Sequence, residues 1–428
     1  MAYLHEHIIL PLSDLLRGES VHTHLDNLHN AEQWSQEQMH DFQQVKLRQL
    51  LTHAAENVPF YRDWFDDHNL NPHGVALEQM PIISKAIMRQ EGIDRFTSAN
   101  IPANQRIPSR SSGSTGEPFS FYVSREASSA NTAAKLRTWY QAGYRLGDRY
   151  MKIANGARHG KLKKLQDRVN NCIYVPFYSI DDETLRTILD TIERRHPLYI
   201  RSYPAPLHLL SRYRQSHPEY TYRPHHIFTT GSTLPAEYRK EIETAFGCDV
   251  IDSYSCEGTP NTYETTSHNG YHICDYYGII EVLDDDGRPV TDGIGRVVST
   301  DLWNLTHPFI RYDTQDLVEV HNGQIQRIMG RECDSFINSN GVLYTVHNFS
   351  HYFLYEIVGV DRYQIVHRRD KSLVINIVVN SDYSEPSAGI IIDHWQPLLG
   401  VPVSVSIVDD IPLMKNNKYR TIIDELTE

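Results

Sequence analysis

Long apolar runs are missing from this chain: about 18 consecutive apolar residues occur nowhere, so no membrane-spanning helix is expected. An excess of positive charge is missing too. Asp and Glu (54) outnumber Lys and Arg (41), and the net charge of −13 argues against a general nucleic-acid surface, which needs clustered cations. The five cysteines are scattered and odd in number, with no CxxC pair, so they make no disulfide framework and fit a reducing cytoplasm. Residues 1–16 hold an apolar patch without a basic lead or a small-residue cleavage site, so no secretion signal is expected. Repeats and low-complexity tracts are absent as well.

What remains is an ordinary globular composition, 40% hydrophobic and 22% charged, over 428 residues, enough for two or three domains. Residues 1–80 read as a helical lead-in: Gln43, Leu47, Leu50, Leu51 and Ala54 recur at helix spacing until Asn57-Val58-Pro59 breaks the pattern. Further on, helices expected at 127–142, 205–213 and 237–246 alternate with short strands at 198–200, 226–230 and 250–254, the texture of a parallel layered sheet. Between 270 and 330 short strands are expected at 278–283, 295–300, 309–312, 317–320 and 325–329, with a turn at Asp284-Asp285-Asp286-Gly287, a β-rich antiparallel subdomain. Residues 331–428 read as a separate small α+β domain, with helices at 350–357 and 385–398 and strands at 363–368, 373–379 and 403–408. The expected fold class is therefore α/β: a large N-terminal domain over 1–330, then a small C-terminal domain jointed at Gly330-Arg331.

Chemistry concentrates in five polar clusters. Ser111, Ser112, Gly113, Ser114, Thr115 and Gly116 are six consecutive small residues with four hydroxyls and two positions lacking side chains. They can close round an anion, although a flexible linker has the same composition and neither the Walker nor the GxGxxG spacing is met. Ser253-Tyr254-Ser255-Cys256-Glu257 leaves a strand and ends in a carboxylate. Arg311-Tyr312-Asp313-Thr314-Gln315-Asp316 also leaves a strand. Gly330-Arg331-Glu332-Cys333-Asp334 marks the joint, and Met414 to Arg420 carries Lys415 and Lys418. Each has a plain structural rival: Glu257 as a helix-cap acid, Asp316 paired with Arg311, Arg331 in an interdomain ion pair, Lys418 as a solvated charge.

This set, in this order, resembles the adenylate-forming superfamily of acyl-CoA synthetases, nonribosomal adenylation domains and luciferases. Within it the chain is most similar to the phenylacetate–CoA ligase and CapK branch, through the stretch Leu50 to Arg62 and through Pro81-Ile82-Ile83-Ser84-Lys85. The resemblance implies an ATP-dependent, AMP-forming ligase. A carboxylate would attack the α-phosphorus, so preorganised donors and a cation are needed where charge builds. It implies Ser111–Gly116 at the β- and γ-phosphates, Glu257 at Mg²⁺, Tyr254 beside adenine, Asp316 on the ribose hydroxyls, Arg331 on the nucleotide, and Lys418 as the catalytic lysine. It also implies an acid pocket among Trp139, Tyr140, Thr230, Gly231 and Ser232, and a mobile C-terminal lid pivoting at Cys333 or Asp334. Coenzyme A is the expected acceptor; an amine, a hydroxyl or a carrier-protein thiol stays open, as does a homodimer.

Departures from the pattern are few. Glu117 stands where a lysine is usual, Cys256 replaces a threonine before Glu257, and Asn417 replaces the glycine before Lys418, which leaves Lys415 as a competing lysine. Cys256, His268, His272 and Cys274 have ligand types admissible for zinc, but Asn269-Gly270 suggests a turn there, and zinc is not favoured. His307 beside Pro308 reads as packing. The rival readings from another class are a nucleotide-binding protein that has lost its chemistry and a zinc-stabilised interaction module.

Overall fold

The computed structural model of the protein describes every residue except 1, 111–119, 156–159, 178–181, 232, 257, 266, 332–334, 338–342, 346–348, 350–351, 354–356, 412–421 and 427–428. Two compact units emerge: one is built from Met1–Ser111, Phe119–Thr314 and Glu319–Arg327, the other chiefly from Ile328–Glu428 with Gln315–Val318.

The lead-in of the first unit is helical because its apolar residues fall on one stripe. In the helix Gln36–Asn57, Leu47, Leu50, Leu51 and Ala54 are buried, and Ser35 and Gln38 close a reciprocal capping box at its start. Pro59 opens the next helix, Pro59–Asp67, where its missing N–H is harmless.

Seven strands form the main sheet of this unit. From one edge they run Tyr271–Ile273, Thr262–Glu264, Asp249–Tyr254, His226–Thr230, Tyr199–Ser202, Tyr150–Asn155 and Cys172–Phe177. The last five are mutually parallel, and the first two turn back antiparallel. Each strand alternates between two packed faces. Met151, Ile153, Ile200, Ile227 and Val250 pack with Leu189, Leu207 and Phe246, which come from the helices Asp182–Arg195, Pro204–Gln215 and Ala236–Phe246. Tyr150, Tyr199, Phe228 and Ile251 point the other way, against Trp139, Tyr140 and Ala142 at the end of the helix Arg125–Gln141.

A second sheet has the order Ile83–Ser84, Tyr312–His321, Gly293–Asp301, Gly278–Leu283, with Gln324–Arg331 beside Tyr312–His321. The expected turn is present, with Gly287 at φ +78°. The strand expected at 309–312 is not: residues 309–311 lie outside any strand, and one strand runs from Tyr312 to His321. Arg311 sits at φ +46°, a left-handed conformation that breaks the extended backbone just before Tyr312.

In the second unit four strands have the order Val403–Ile407, Leu373–Val379, Val360–His367, Ile422–Asp424. Leu373, Ile375 and Ile377 alternate inward and pack with Ile391, Trp395 and Leu399 of the helix Pro386–Leu399. His367 Nδ1 lies 2.9 Å from Asp424 Oδ1, fastening the last strand. The helix expected over 350–357 falls mostly outside the described residues. Among the described residues, no helix is long and apolar enough to cross a membrane.

Candidate active site

The site begins where the parallel strands end. Thr230 and Ser253 are Cα partners on adjacent strands, so Thr230-Gly231 and Tyr254 emerge side by side from the sheet. A buried polar network holds these ends. The Asp252 carboxylate, 3% exposed, accepts hydrogen bonds from the Thr229 hydroxyl (2.6 Å) and the Tyr271 hydroxyl (2.7 Å). Its backbone N–H donates to Glu264 at 3.0 Å, and Arg239 pairs with that same Glu264. Burial pushes the Asp252 carboxyl up to about 6, against the opposing pull of the two hydroxyl donors. The Ser253 hydroxyl donates to the Thr229 carbonyl at 2.9 Å, adding a second tie between the strands. Polar groups that are buried and satisfied in this way rigidify what they hold.

Gly231 follows at φ +81°, and a Cβ there would meet the Tyr203 ring at 2.7 Å, so only glycine fits. Tyr254 reaches from its strand with the hydroxyl 3.5 Å from Thr314 Oγ1, and Thr314 donates to the Val297 carbonyl at 2.9 Å. Beyond Tyr254 the chain turns through Cys256, whose amide donates to Thr259 Oγ1 at 2.6 Å. Glu257 lies outside the described residues.

Asp316 is on the strand Tyr312–His321 and 7% exposed. The rival partner suggested for it is engaged elsewhere: the Arg311 guanidinium donates to both carboxylate oxygens of Glu281, at 2.8 and 3.0 Å, and to the carbonyls of Glu78 and Met80. Arg331 closes the strand Gln324–Arg331. Ser111, Ser112, Gly113, Ser114, Thr115, Gly116, Ser232, Cys333, Asp334, Lys415 and Lys418 lie outside the described residues. Trp139 stacks on Phe228 with centroids 4.6 Å apart and meets Tyr144 and Tyr150 edge-on, so its ring is engaged in packing between helix and sheet.

Zinc finds no support. Among the described residues no group of three or more His, Cys, Asp and Glu side chains is placed to hold a metal, and the four residues proposed for zinc go separate ways. His268 lies near Arg239, Glu243 and Glu264. The His272 ring faces that of Tyr263, and desolvation pushes the thiol of half-buried Cys274 up to about 12. Glycine at 270, φ +86°, supplies the turn that parts them. His307 is fully buried among Phe96, Phe121 and Phe309, and burial pushes its imidazole down to about 3.

Sequence reading passed over three cations: Lys135, Lys152 and Arg201. Lys152 and Arg201 are Cα partners on adjacent strands, and Lys135 stands one helical turn before Trp139. The signal was a lysine in the small-residue helix Arg125–Gln141, four residues before Trp139 and so on the same side of the helix.

Comparison with known proteins places the chain among recognisable relatives. The CapK C-terminal domain family matches residues 336–425. Protein CapK of Staphylococcus aureus is 23% identical over 363 residues, covering 80% of this chain and 79% of that protein. Phenylacetate-coenzyme A ligase of Escherichia coli is 25% identical over 362 residues, covering 74% and 75%. In fold, the chain is similar to the crystal structure of 2-hydroxyisobutyryl-CoA ligase in its postadenylation state with 2-HIB-AMP, at TM-score 0.61 and 19% identity, covering 89% and 88%. The same ligase with 2-HIB-AMP and CoA, in the thioesterification state, superposes at TM-score 0.57 and 19% identity, covering 92% and 90%.

Proposed function

We propose that this chain, which belongs to the adenylate-forming superfamily on its phenylacetate–CoA ligase and CapK branch, is an ATP-dependent, AMP-forming ligase that activates a small carboxylic acid and passes the acyl group to coenzyme A. One observation carries the reading most. The likeness to phenylacetate-coenzyme A ligase spans three quarters of both chains, and the motifs of the acid-activating chemistry recur here in the family's order.

Two displacements make up the reaction. The acid's carboxylate oxygen bonds to the α-phosphorus of ATP as the bond to pyrophosphate breaks; then the thiol sulfur bonds to the acyl carbon and AMP leaves. Charge develops on the phosphate oxygens in the first step, so donors fixed in advance lower its barrier. The amides and hydroxyls of Ser111–Gly116 would cradle the departing β- and γ-phosphates. Asp316 would accept both ribose hydroxyls, Tyr254 would flank the adenine, and Arg331 would add a nucleotide contact. Lys418 would lie between carboxylate and α-phosphate, drawing two anions together. Glu257 offers oxygen ligands of the kind Mg²⁺ prefers, and that ion when bound would neutralise charge on the phosphates. Thr230, Gly231 and Ser232 would border the acid at the strand ends. After adenylation a rotation at Cys333 or Asp334 would withdraw Lys418 for thioester formation.

Hydroxylamine traps activated acyl groups whatever the natural acceptor is. Incubation with ATP, Mg²⁺, hydroxylamine and a broad acid library is expected to yield a hydroxamate and pyrophosphate for a restricted set of acids. No hydroxamate from any acid would overturn the proposal. Hydroxamate without thioester when coenzyme A replaces hydroxylamine would shift the acceptor to an amine, a hydroxyl or a carrier-protein thiol.

A further inference from the structure

The face of the main sheet that packs on the helix Arg125–Gln141 is largely aromatic, yet one row across it is charged. Cα partners in successive strands run Tyr174, Lys152, Arg201, Phe228, Ile251. Lys152 and Arg201 thus stand on neighbouring strands, about 4.8 Å apart, with side chains on the same face. Trp139 stacks on Phe228 in this row, and Lys135, four residues earlier, lies on the same stripe of the helix and faces the sheet. Arg201 and Lys152 are the charges felt by Lys135; together with desolvation they push its ammonium down to about 8. Lys135 is nonetheless exposed, and Lys152 and Arg201 are half-buried. The three cations therefore stand close together on a part of this face that solvent reaches.

Nothing anionic offsets them at two of the three positions. The titratable neighbours of Arg201 are Tyr203, Tyr150 and Cys172, and neither Lys135 nor Arg201 has a carboxylate partner among the described residues. Like charges gathered in a desolvated place without a counter-charge work against folding, and their usual justification is a ligand. Their location says which ligand. Thr230 is two residues beyond Phe228 on its strand, so the charged row lies about 7 Å below the strand ends that border the acid. A molecule whose carboxylate is held at the strand ends would direct its far end toward this row.

We propose that Lys135, Lys152 and Arg201 form the specificity subsite of the acid pocket, and that the substrate is an acid carrying a second anionic group, a carboxylate or a phosphate, a few bonds from the carboxylate that is activated. The inference rests on the acid-activating reading above. Arg201 supplies a planar fork suited to either oxyanion, and the two lysines supply point charges beside it.

The test compares matched acids in hydroxamate formation: a monocarboxylic acid, the dicarboxylic acid of the same length, and its ω-phosphorylated counterpart. Wild-type kcat/KM should favour one of the dianionic acids by about 10- to 100-fold, the worth of a charged hydrogen bond or two. In Arg201→Gln and, separately, Lys135→Gln that preference should collapse toward unity; a preference for the phosphorylated over the dicarboxylic acid identifies the group bound. Wild-type enzyme that uses monocarboxylic acids equally well, with the ratio unmoved in both variants, overturns the proposal. Thermal unfolding with the dicarboxylic or phosphorylated acid alone, without ATP, separates the two readings. If no acid gives hydroxamate, stabilisation of wild type but not of Lys135→Gln still supports an anion subsite, and no stabilisation of wild type refutes it.

Discussion

Arg311 grips Glu281 with two parallel hydrogen bonds, at 2.8 and 3.0 Å, while its own backbone is held at φ +46°. Both side chains are largely buried, at 7% and 16% exposure, and the other guanidinium nitrogen is taken by two backbone carbonyls. Arginine's fork matches a carboxylate as lysine's ammonium cannot. Glu281→Gln leaves a buried cation without its counter-charge and should destabilise the first unit by about 3–5 kcal/mol. Arg311→Lys should come close to that loss. Urea denaturation followed by tryptophan fluorescence checks both; a change below about 1 kcal/mol in either would show that the pair is not needed.

Asp252 couples stability to pH. Its carboxyl is raised from 3.8 to about 6, so the folded state holds its proton more tightly than the unfolded chain. The associated stability is fully present below about 3.8 and is lost as pH rises through about 6. Tyr271→Phe removes a donor that favours the ionised form and should raise this carboxyl further. The variant should lose about 1.5–3 kcal/mol at pH 8 and clearly less at pH 5. Equal losses at the two pH values would show that Tyr271 does not act through Asp252.

His307 works in the opposite sense. Its imidazole is lowered from 6.5 to about 3, so the unfolded chain binds a proton that the folded one refuses. The associated stability is present above about 6.5 and drains away as pH falls toward 3. Between pH 7 and 4.5 this one residue removes roughly 2–3 kcal/mol. His307→Leu should flatten the acid limb of the stability profile by that amount. An unchanged limb, measured by urea titrations at half-unit steps, would assign the acid sensitivity to other groups.

Lys418 and Asp316 carry separable duties in the proposed reaction. Lys418→Ala should reduce pyrophosphate release by about 10² or more while ATP binding stays mostly intact. Asp316→Asn should instead weaken nucleotide binding, raising the KM for ATP. Lys415→Ala is the control: a loss there with Lys418→Ala unaffected would transfer the catalytic role.

Several elements were legible because pattern and environment agree. Gly278–Leu283, His226–Thr230 and Leu373–Val379 read as strands and are strands, since their alternation or apolar run matches packing on the sheet faces. Tyr150–Asn155 and Cys172–Phe177 escaped notice. Lys152 interrupts one and Pro176 the other, so neither reads as a plain apolar run. Arg311 defeated the expected strand at 309–312 through a long-range pair with Glu281 that no local pattern encodes. Zinc was not favoured from the sequence because Asn269-Gly270 signals a turn, and His268 is drawn to Glu243 and Glu264. The strand-end residues Thr230, Gly231 and Tyr254 were singled out from family likeness, whereas Lys152 and Arg201 come together only through the sheet's register.

Tyr150–Asn155 lies inside the parallel array, yet both of its flanking strands, Cys172–Phe177 and Tyr199–Ser202, come later in the chain. During biosynthesis its amides and carbonyls wait, unmatched on at least one side, until residue 202 has left the ribosome, an interval of several seconds at about 5–20 residues per second. For that time a nascent chain offers a bare edge to its neighbours. Slower production in cooler cells, with holdase chaperones abundant, should therefore raise the soluble yield more than any change of buffer after lysis.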